Sequence, residues 1–183
     1  ALHDLSITAG GGIVIKGGAV TTVGTQNYQS NVVLGNLAFA TTLTTTNSAV
    51  SFAGTLTNEG ADAQALSIDA GTGRVSFTGA IGSAAAPIGA LSIIHSSSSI
   101  FSSSVNAASL SVNASGITQF NGIVTAGSVT TDAPGSVQFN ITTPSGASVL
   151  TTGTQTYNDD VVLMKHTTLT STGANAAGNI TLG

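Results

Sequence analysis

The chain reads Val75-Ser76-Phe77-Thr78-Gly79-Ala80-Ile81, and this frame recurs around four other phenylalanines. The shared features are a central Phe, in most copies a small residue two positions later, and an aliphatic residue after it. The central residues are Phe52, Phe77, Phe101, Phe120 and Phe139, at steps of 25, 24, 19 and 19 residues. Self-similarity at such a period, with a strand in each unit, is typical of a solenoid, in which each repeat packs mainly on its neighbours.

Side chains alternate within this frame. Val75, Phe77 and Ile81 fall on one side of an extended strand, and Ser76 falls on the other. Stacked coils lie ~4.8 Å apart, so we expect the five phenylalanines to form an internal ladder that belongs to the structural core. Gly79 is expected to leave room for the rings, because large and small inward residues must interdigitate.

A second element precedes the frame in the central part of the chain. It reads Leu66-Ser67-Ile68, Leu91-Ser92-Ile93 and Leu110-Ser111-Val112, and more weakly Val129-Thr130-Thr131. Because it keeps step with the phenylalanines, it predicts two short strands per coil. Parallel crossovers are nearly always right-handed. The predicted fold is therefore all-β, a right-handed parallel β-helix (β-solenoid) of about nine coils of roughly 19–25 residues.

Two longer segments duplicate each other on either side of these coils. Thr21-Thr-Val-Gly24-Thr-Gln-Asn-Tyr28 matches Thr151-Thr-Gly153-Thr-Gln-Thr-Tyr157, and each copy continues into Val-Val-Leu and a threonine stretch. With no composition that would mark a linker, residues 1–183 are expected to form a single solenoid domain. We expect that domain to be a segment of a longer repetitive chain.

The second copy also carries a family resemblance. The block Thr152-Gly-Thr-Gln-Thr-Tyr157-Asn-Asp-Asp-Val-Val-Leu163, followed by Thr167-Thr-Leu169-Thr, resembles repeats of very large bacterial surface and secreted proteins. These are the filamentous-haemagglutinin-like and autotransporter-passenger-like adhesins. The resemblance implies a right-handed β-helical shaft, secretion to the bacterial cell surface, and a role in adhesion or in the biofilm matrix. No secretion signature of the Asn-Pro-Asn type occurs, so a shaft segment is expected here and not the export module.

Composition excludes several classes of function. Only 5% of the 183 residues are charged, against roughly 25% in ordinary domains. The basic residues are Lys16, Arg74 and Lys165, too few and too scattered to neutralise nucleic-acid phosphates or an anionic membrane surface. No apolar run approaches the roughly 20 residues of a membrane helix. The absence of cysteine removes disulfides and thiolate sites together.

Asp159 and Asp160 are the adjacent carboxylates of the chain and its weak candidates for a metal site. Calcium takes six to eight oxygen ligands, usually with several carboxylates at fixed spacing. These two residues align with Ser30 and Asn31 of the first copy, so the repeat does not require charge there. A solvated turn is the favoured interpretation, and no cofactor or metal is expected.

No arrangement of residues indicates catalysis. Sugar hydrolysis needs two carboxyl groups held ~5–10 Å apart, and the remaining acids are isolated: Asp4, Glu59, Asp62, Asp69 and Asp132. A salt bridge between Asp69 and Arg74 across a turn is expected. The histidines, His3, His95 and His166, lack metal-binding spacing.

The sequence therefore favours a non-enzymatic structural segment of a secreted bacterial surface fibre or adhesin. Its partners are expected to be copies of itself, through the coil ends, and host or matrix glycans, with no nucleic acid and no membrane insertion. One alternative is a carbohydrate-binding or carbohydrate-active β-helix. Another is an ice-binding solenoid, because Thr42-Leu43-Thr44 and Thr168-Leu169-Thr170 could belong to a regular threonine array.

Overall fold

The computed structural model describes residues 2–35, 40–60, 62–142 and 146–183. Strand pairs among these residues are all parallel, and strands pair with the equivalent strands of neighbouring coils. The expected all-β solenoid architecture is confirmed at this level. Right-handed winding and the number of about nine coils stay predictions.

The chain forms three faces, which we name after residues that recur on them. The Phe face contains β1 (Leu5–Ile7), β4 (Gln26–Tyr28), β7 (Val50–Phe52), β10 (Arg74–Phe77), the ends of β11 (Ile88–Phe101) and β12 (Val105–Phe120), β15 (Ser136–Phe139) and β18 (Asp160–Leu163). The aliphatic face contains β2 (Ile13–Ile15), β5 (Val32–Leu34), β8 (Leu56–Asn58), the start of β12, β13 (Val124–Ala126), β16 (Val149–Thr151) and β19 (Leu169–Ser171).

The Leu-Ser-Ile face completes each coil. It contains β3 (Gly18–Thr22), β6 (Thr41–Thr45), β9 (Leu66–Asp69), the middle parts of β11 and β12, β14 (Val129–Thr131), β17 (Gln155–Tyr157) and β20 (Ile180–Leu182). A short 3₁₀ turn, Asn175–Gly178, precedes β20. Strand β12 runs through all three faces without interruption, which shows their order along the chain.

The expectation of two strands per coil is wrong, because the frame bends after its phenylalanine. Strand β10 ends at Phe77, and Ile81 forms isolated bridges with Leu56 and Val105 on the aliphatic face. Phe77 and Ile81 still stand an even number of positions apart across the bend, so sequence periodicity alone suggests one straight strand. The frame is in fact a corner that joins two faces.

Gly79 has a different role from the expected one. A Cβ built on Gly79 would overlap the carbonyl group of Gly54 in the preceding coil, and one on Gly122 would overlap the main chain of Ser103. Glycine therefore allows the main chains of successive corners to approach each other closely. It does not serve to make room for the phenylalanine rings.

Inward residues of the three faces form one continuous core. Val50, Leu56 and Leu66 are fully buried, and the equivalent residues of the following coils stay buried as far as Val137, Val149 and Gln155. Burial of an aliphatic or aromatic side chain contributes about 1.5–3 kcal/mol. The core therefore stabilises the solenoid along its length, and the sequence has no cysteine that could add a disulfide.

Candidate functional site

The predicted ladder of aromatic rings lies inside the solenoid. Its members are Phe52, Phe77, Phe101, Phe120 and Phe139, which are at most 1% exposed. Centroids of successive rings lie 4.9, 5.3, 5.0 and 5.8 Å apart with nearly parallel planes. Tyr28 stacks on the first of these rings at 4.9 Å. Such offset stacking adds to the energy of burial, so the rings stabilise the core and present no surface to a ligand.

The first duplicated segment forms a corner with a buried hydrogen-bond network. The Tyr28 hydroxyl donates to Gln26 Oε1 at 2.9 Å, and Gln26 Nε2 donates to the carbonyl oxygen of Thr44 at 2.9 Å. Gln26 Nε2 also lies 3.3 Å from Thr22 Oγ1, which itself donates to the carbonyl oxygen of Gly24. This network satisfies polar groups that would otherwise be costly inside a core.

The second duplicated segment forms the same network at another corner. The Tyr157 hydroxyl donates to Gln155 Oε1 at 3.0 Å, and Gln155 Nε2 donates to the carbonyl oxygen of Thr170 at 2.7 Å. Thr151 Oγ1 donates to the carbonyl oxygen of Gly153 at 2.6 Å. The two copies thus fold alike as corners, although they join different pairs of faces.

The two copies are displaced by one face. Gln26 and Tyr28 belong to the Phe face, where Tyr28 pairs with Phe52. Gln155 and Tyr157 belong to the Leu-Ser-Ile face, where Tyr157 pairs with Thr131. Sequence comparison detected the duplication but not this displacement, because the repeated residues specify the corner and not the face that follows it.

Two of the isolated acids, Asp4 and Glu59, form contacts with nearby side chains. Asp4 accepts hydrogen bonds from His3 and from the main chain and hydroxyl of Thr25, and these bonds, with His3 as the largest cause, hold its pKa below the usual value. Glu59 lies 3.7 Å from Lys16. These contacts are exposed, so they contribute little to stability.

Asp69 does not pair with Arg74 as expected. Its Oδ1 lies 3.2 Å from His95 Nδ1 and accepts a hydrogen bond from the main chain of Gly71. Among the described residues no ion pair joins Asp69 to Arg74. The Asp69–His95 pair resembles two members of a catalytic triad, but the hydrogen bonds found in the described part of the chain include none between His95 and a hydroxyl group.

The adjacent carboxylates Asp159 and Asp160 differ from each other in exposure. Asp160 is exposed, as expected of a solvated turn, whereas Asp159 is 1% exposed. The solvated interpretation is therefore wrong for Asp159. Burial raises the pKa of Asp159, and the nearby carboxylates of Asp132 and Asp160 act in the same direction. The burial depends on contacts with the preceding coils, which the local sequence does not reveal.

The two threonine segments lie on different faces. Thr42 and Thr44 belong to β6 on the Leu-Ser-Ile face, whereas Thr170 belongs to β19 on the aliphatic face. The outward row that contains Thr42 continues with one hydroxyl group per coil, at Ser67, Ser92, Ser111, Thr130, Thr156 and Thr181. This single row was not recognised from the sequence, because its central members are serines and its outer members are threonines.

A shallow groove lies beside the glycine-rich turn 9–12. Its volume is about 540 Å³, and Ser30, Asn31 and Thr55 provide polar groups to its lining. No carboxylate and no aromatic side chain is among the described residues that line it. The groove therefore lacks the paired carboxyl groups of glycoside hydrolysis.

Comparisons with protein-family models, curated proteins and solved structures find no match for this chain. None of the helices in the described ranges is long and apolar enough to cross a membrane. Across the same ranges, no three His, Cys, Asp or Glu side chains come together as a metal-binding group.

Proposed function

We propose that the chain is a non-enzymatic structural segment of a secreted bacterial surface fibre or adhesin, wound as a right-handed solenoid. The observation that carries this proposal is the parallel pairing of strands on all three faces around a buried core. Such an arrangement suits a mechanical element, because every coil is held to its neighbours by main-chain hydrogen bonds and by packing. The adhesin resemblance supports the same function.

The last described coil supports association with further coils. Leu163 follows Phe139 in the register of the Phe face, and Leu182 follows Tyr157 on the Leu-Ser-Ile face. Phe139 and Tyr157 are fully buried, whereas Leu163 is 59% and Leu182 55% exposed. Apolar side chains at inward positions, next to the open edges of parallel strands, favour the addition of another coil. We propose that a second copy of the chain provides this coil.

Self-association of this chain tests the proposal. We expect its average mass in analytical ultracentrifugation to rise with concentration, and electron microscopy to show rods longer than one copy. The double variant Leu163→Asp and Leu182→Asp should sediment as a monomer, because each carboxylate would have to be desolvated on stacking. Ile123→Asp is the matched control, since Ile123 is 43% exposed in the side of the solenoid. A wild-type monomer at every concentration would contradict self-association.

Of the carbohydrate alternative, glycan binding is retained and hydrolysis is not. The hydroxyl row of the Leu-Ser-Ile face offers donors and acceptors to glycans, so weak glycan binding belongs to the proposed adhesive function. Hydrolysis is disfavoured, because the groove near Ser30 has no carboxylate among its described lining residues. Release of reducing sugar from polysaccharides would reverse this ranking, and binding without release would support the adhesive function.

Ice binding is the weaker alternative. A flat threonine array requires the two Thr-Leu-Thr segments to share one face, yet they lie on different faces. The hydroxyl row through Thr42 has only one residue per coil and contains serines in the central coils. We expect no thermal hysteresis from the purified chain, and measurable hysteresis would reinstate this function.

A further inference from the structure

One corner of the solenoid contains a buried carboxylate without a hydrogen-bond donor. Both carboxylate oxygens of Asp159 are inaccessible and have no hydrogen-bond partner among the described residues. The Thr131 hydroxyl oxygen is likewise buried and unpartnered. Hydrogen bonding to this hydroxyl lowers the pKa of Asp159, against the larger effect of burial, so the two groups lie near each other although they do not form a well-aligned hydrogen bond.

Oxygen atoms surround this position. A Cβ built on Gly135 would lie 3.0 Å from Asp159 Oδ1 and 2.9 Å from the carbonyl oxygen of Ala114, and the carbonyl oxygen of Gly116 is closer still. Gly135 thus brings two coils together where main-chain oxygens and the Asp159 carboxylate converge. Any larger residue at position 135 would occupy the space between them.

The electrostatic environment of this corner is negative. The carboxylates of Asp132 and Asp160 both disfavour ionisation of Asp159. Asp132 Oδ1 accepts a 2.9 Å hydrogen bond from the main chain of Ala114, which places it at the same corner. No Lys, Arg or His of the described ranges lies within salt-bridge distance of these three carboxylates. The protein itself therefore supplies oxygen ligands here and no compensating positive charge.

We propose that this corner binds a hard metal cation, Ca²⁺ in particular, through the Asp159 carboxylate, the Thr131 hydroxyl and main-chain carbonyl oxygens. Hard cations take oxygen donors of this kind, and carboxylate, hydroxyl and carbonyl groups can share one coordination sphere. An ionised carboxylate that is buried without partners is unfavourable, and a bound cation compensates its charge. No three His, Cys, Asp or Glu side chains come together in the described part of the chain. The proposed site does not require such a cluster, because most of its ligands are neutral oxygens. The inference is independent of the proposed function.

Thermal unfolding of the purified, chelator-treated chain tests this site. CaCl₂ should raise the Tm of the wild-type protein by roughly 5 °C at about one hundred times its Kd, because a ligand that binds only the folded state stabilises it. Parallel titrations with NaCl and MgCl₂, with choline chloride used to keep ionic strength constant, identify the cation. A shift produced by Na⁺ alone would still support a hard-cation site and would correct the identity of its ion.

Variants assign the effect to this corner. Asp159→Asn keeps the shape of the side chain and removes its charge, so it should abolish the Ca²⁺-dependent rise in Tm. Asp62→Asn, which removes one exposed carboxylate elsewhere, should keep the rise. Isothermal titration calorimetry of the wild-type chain provides a direct measure of binding if the Asp159 variant does not fold.

Two results would overturn the inference. If no cation changes the wild-type Tm and calorimetry detects no binding, Asp159 is a buried neutral acid. If Ca²⁺ stabilises the Asp159→Asn variant as much as the wild type, the cation binds at another position.

Discussion

The side-chain amide of Gln26 donates a 2.9 Å hydrogen bond to the main-chain carbonyl oxygen of Thr44, which belongs to the next coil. The same amide nitrogen lies 3.0 Å from the carbonyl oxygen of Val20, in the strand that precedes the corner. Gln26 is fully buried, so one side chain connects two faces and two coils from inside the core. Hydrogen bonds in such a low-dielectric environment are strong when made and costly when lost.

Removing this amide should destabilise the solenoid. Gln26→Ala leaves the Tyr28 hydroxyl and the Thr44 carbonyl group without their partners, and we expect a loss of about 2–3 kcal/mol in the free energy of unfolding. Urea unfolding followed by circular dichroism measures it. Gln29→Ala is the matched control, because Gln29 is exposed in the following turn and should change stability by less than about 0.5 kcal/mol. Equal effects of the two variants would contradict the role of Gln26.

The displacement of the second copy by one face predicts which cysteine pairs can be oxidised. Thr130 and Thr156 are register partners with outward side chains, so the double variant Thr130→Cys and Thr156→Cys should form a disulfide. Gln138 belongs to the Phe face and pairs with Val162, so Gln138→Cys with Thr156→Cys should stay reduced. The natural chain has no cysteine, and mass spectrometry after mild oxidation gives a clear result. Crosslinking of position 138 but not 130 would place the second copy on the Phe face.

Because the main chains of successive corners approach each other closely, we expect substitution of a corner glycine by alanine to be more destabilising than substitution of a glycine elsewhere. Gly79→Ala would force the Gly54 carbonyl group to move, so we expect a loss of about 1–3 kcal/mol in the free energy of unfolding. Gly10→Ala is the control, because nothing lies within 4 Å of a Cβ at that position. The difference in Tm between the two variants measures the effect. If Gly79→Ala were as stable as Gly10→Ala, the corners would not be limited by main-chain contact.

The inward position of the phenylalanines could be predicted because strand alternation is a local property of the sequence. Val75, Ser76 and Phe77 already show it within one strand. The separate aliphatic face could not be predicted. Near Ile81 it consists only of isolated bridges, and Ile81 stands at a position that a straight strand would also place on the same side as Phe77. A corner that preserves the period of two therefore resembles a straight strand in the sequence.

The candidate site was less predictable than the fold. Asp159 follows Tyr157 in a polar segment whose composition is that of an exposed turn. Its burial arises because Gly135, in the preceding coil, permits close approach at this corner. Residues more than 20 positions apart determine that contact. This contact could not be predicted from a single sequence, because the register between neighbouring coils was not known.

Alkaline conditions should weaken the solenoid through its two buried tyrosines. Burial raises the pKa of Tyr28 and of Tyr157 far above the usual value of about 10, so both hydroxyl groups stay neutral in the folded chain. Because the folded pKa exceeds the unfolded one, their contribution to stability is complete below about pH 10 and is lost as pH rises further. Each tyrosine should lower the free energy of unfolding by about 1.4 kcal/mol per pH unit in that range.

Tyrosine variants separate this effect from general alkaline denaturation. Tyr28→Phe removes one ionisable hydroxyl group and keeps the ring that stacks on Phe52, so it should be less stable near neutral pH but lose stability half as steeply above about pH 10. Tyr157→Phe should halve the slope in the same way. Urea unfolding at a series of pH values measures both slopes. If they equal the wild-type slope, the tyrosine hydroxyls ionise as readily in the folded chain as in the unfolded one.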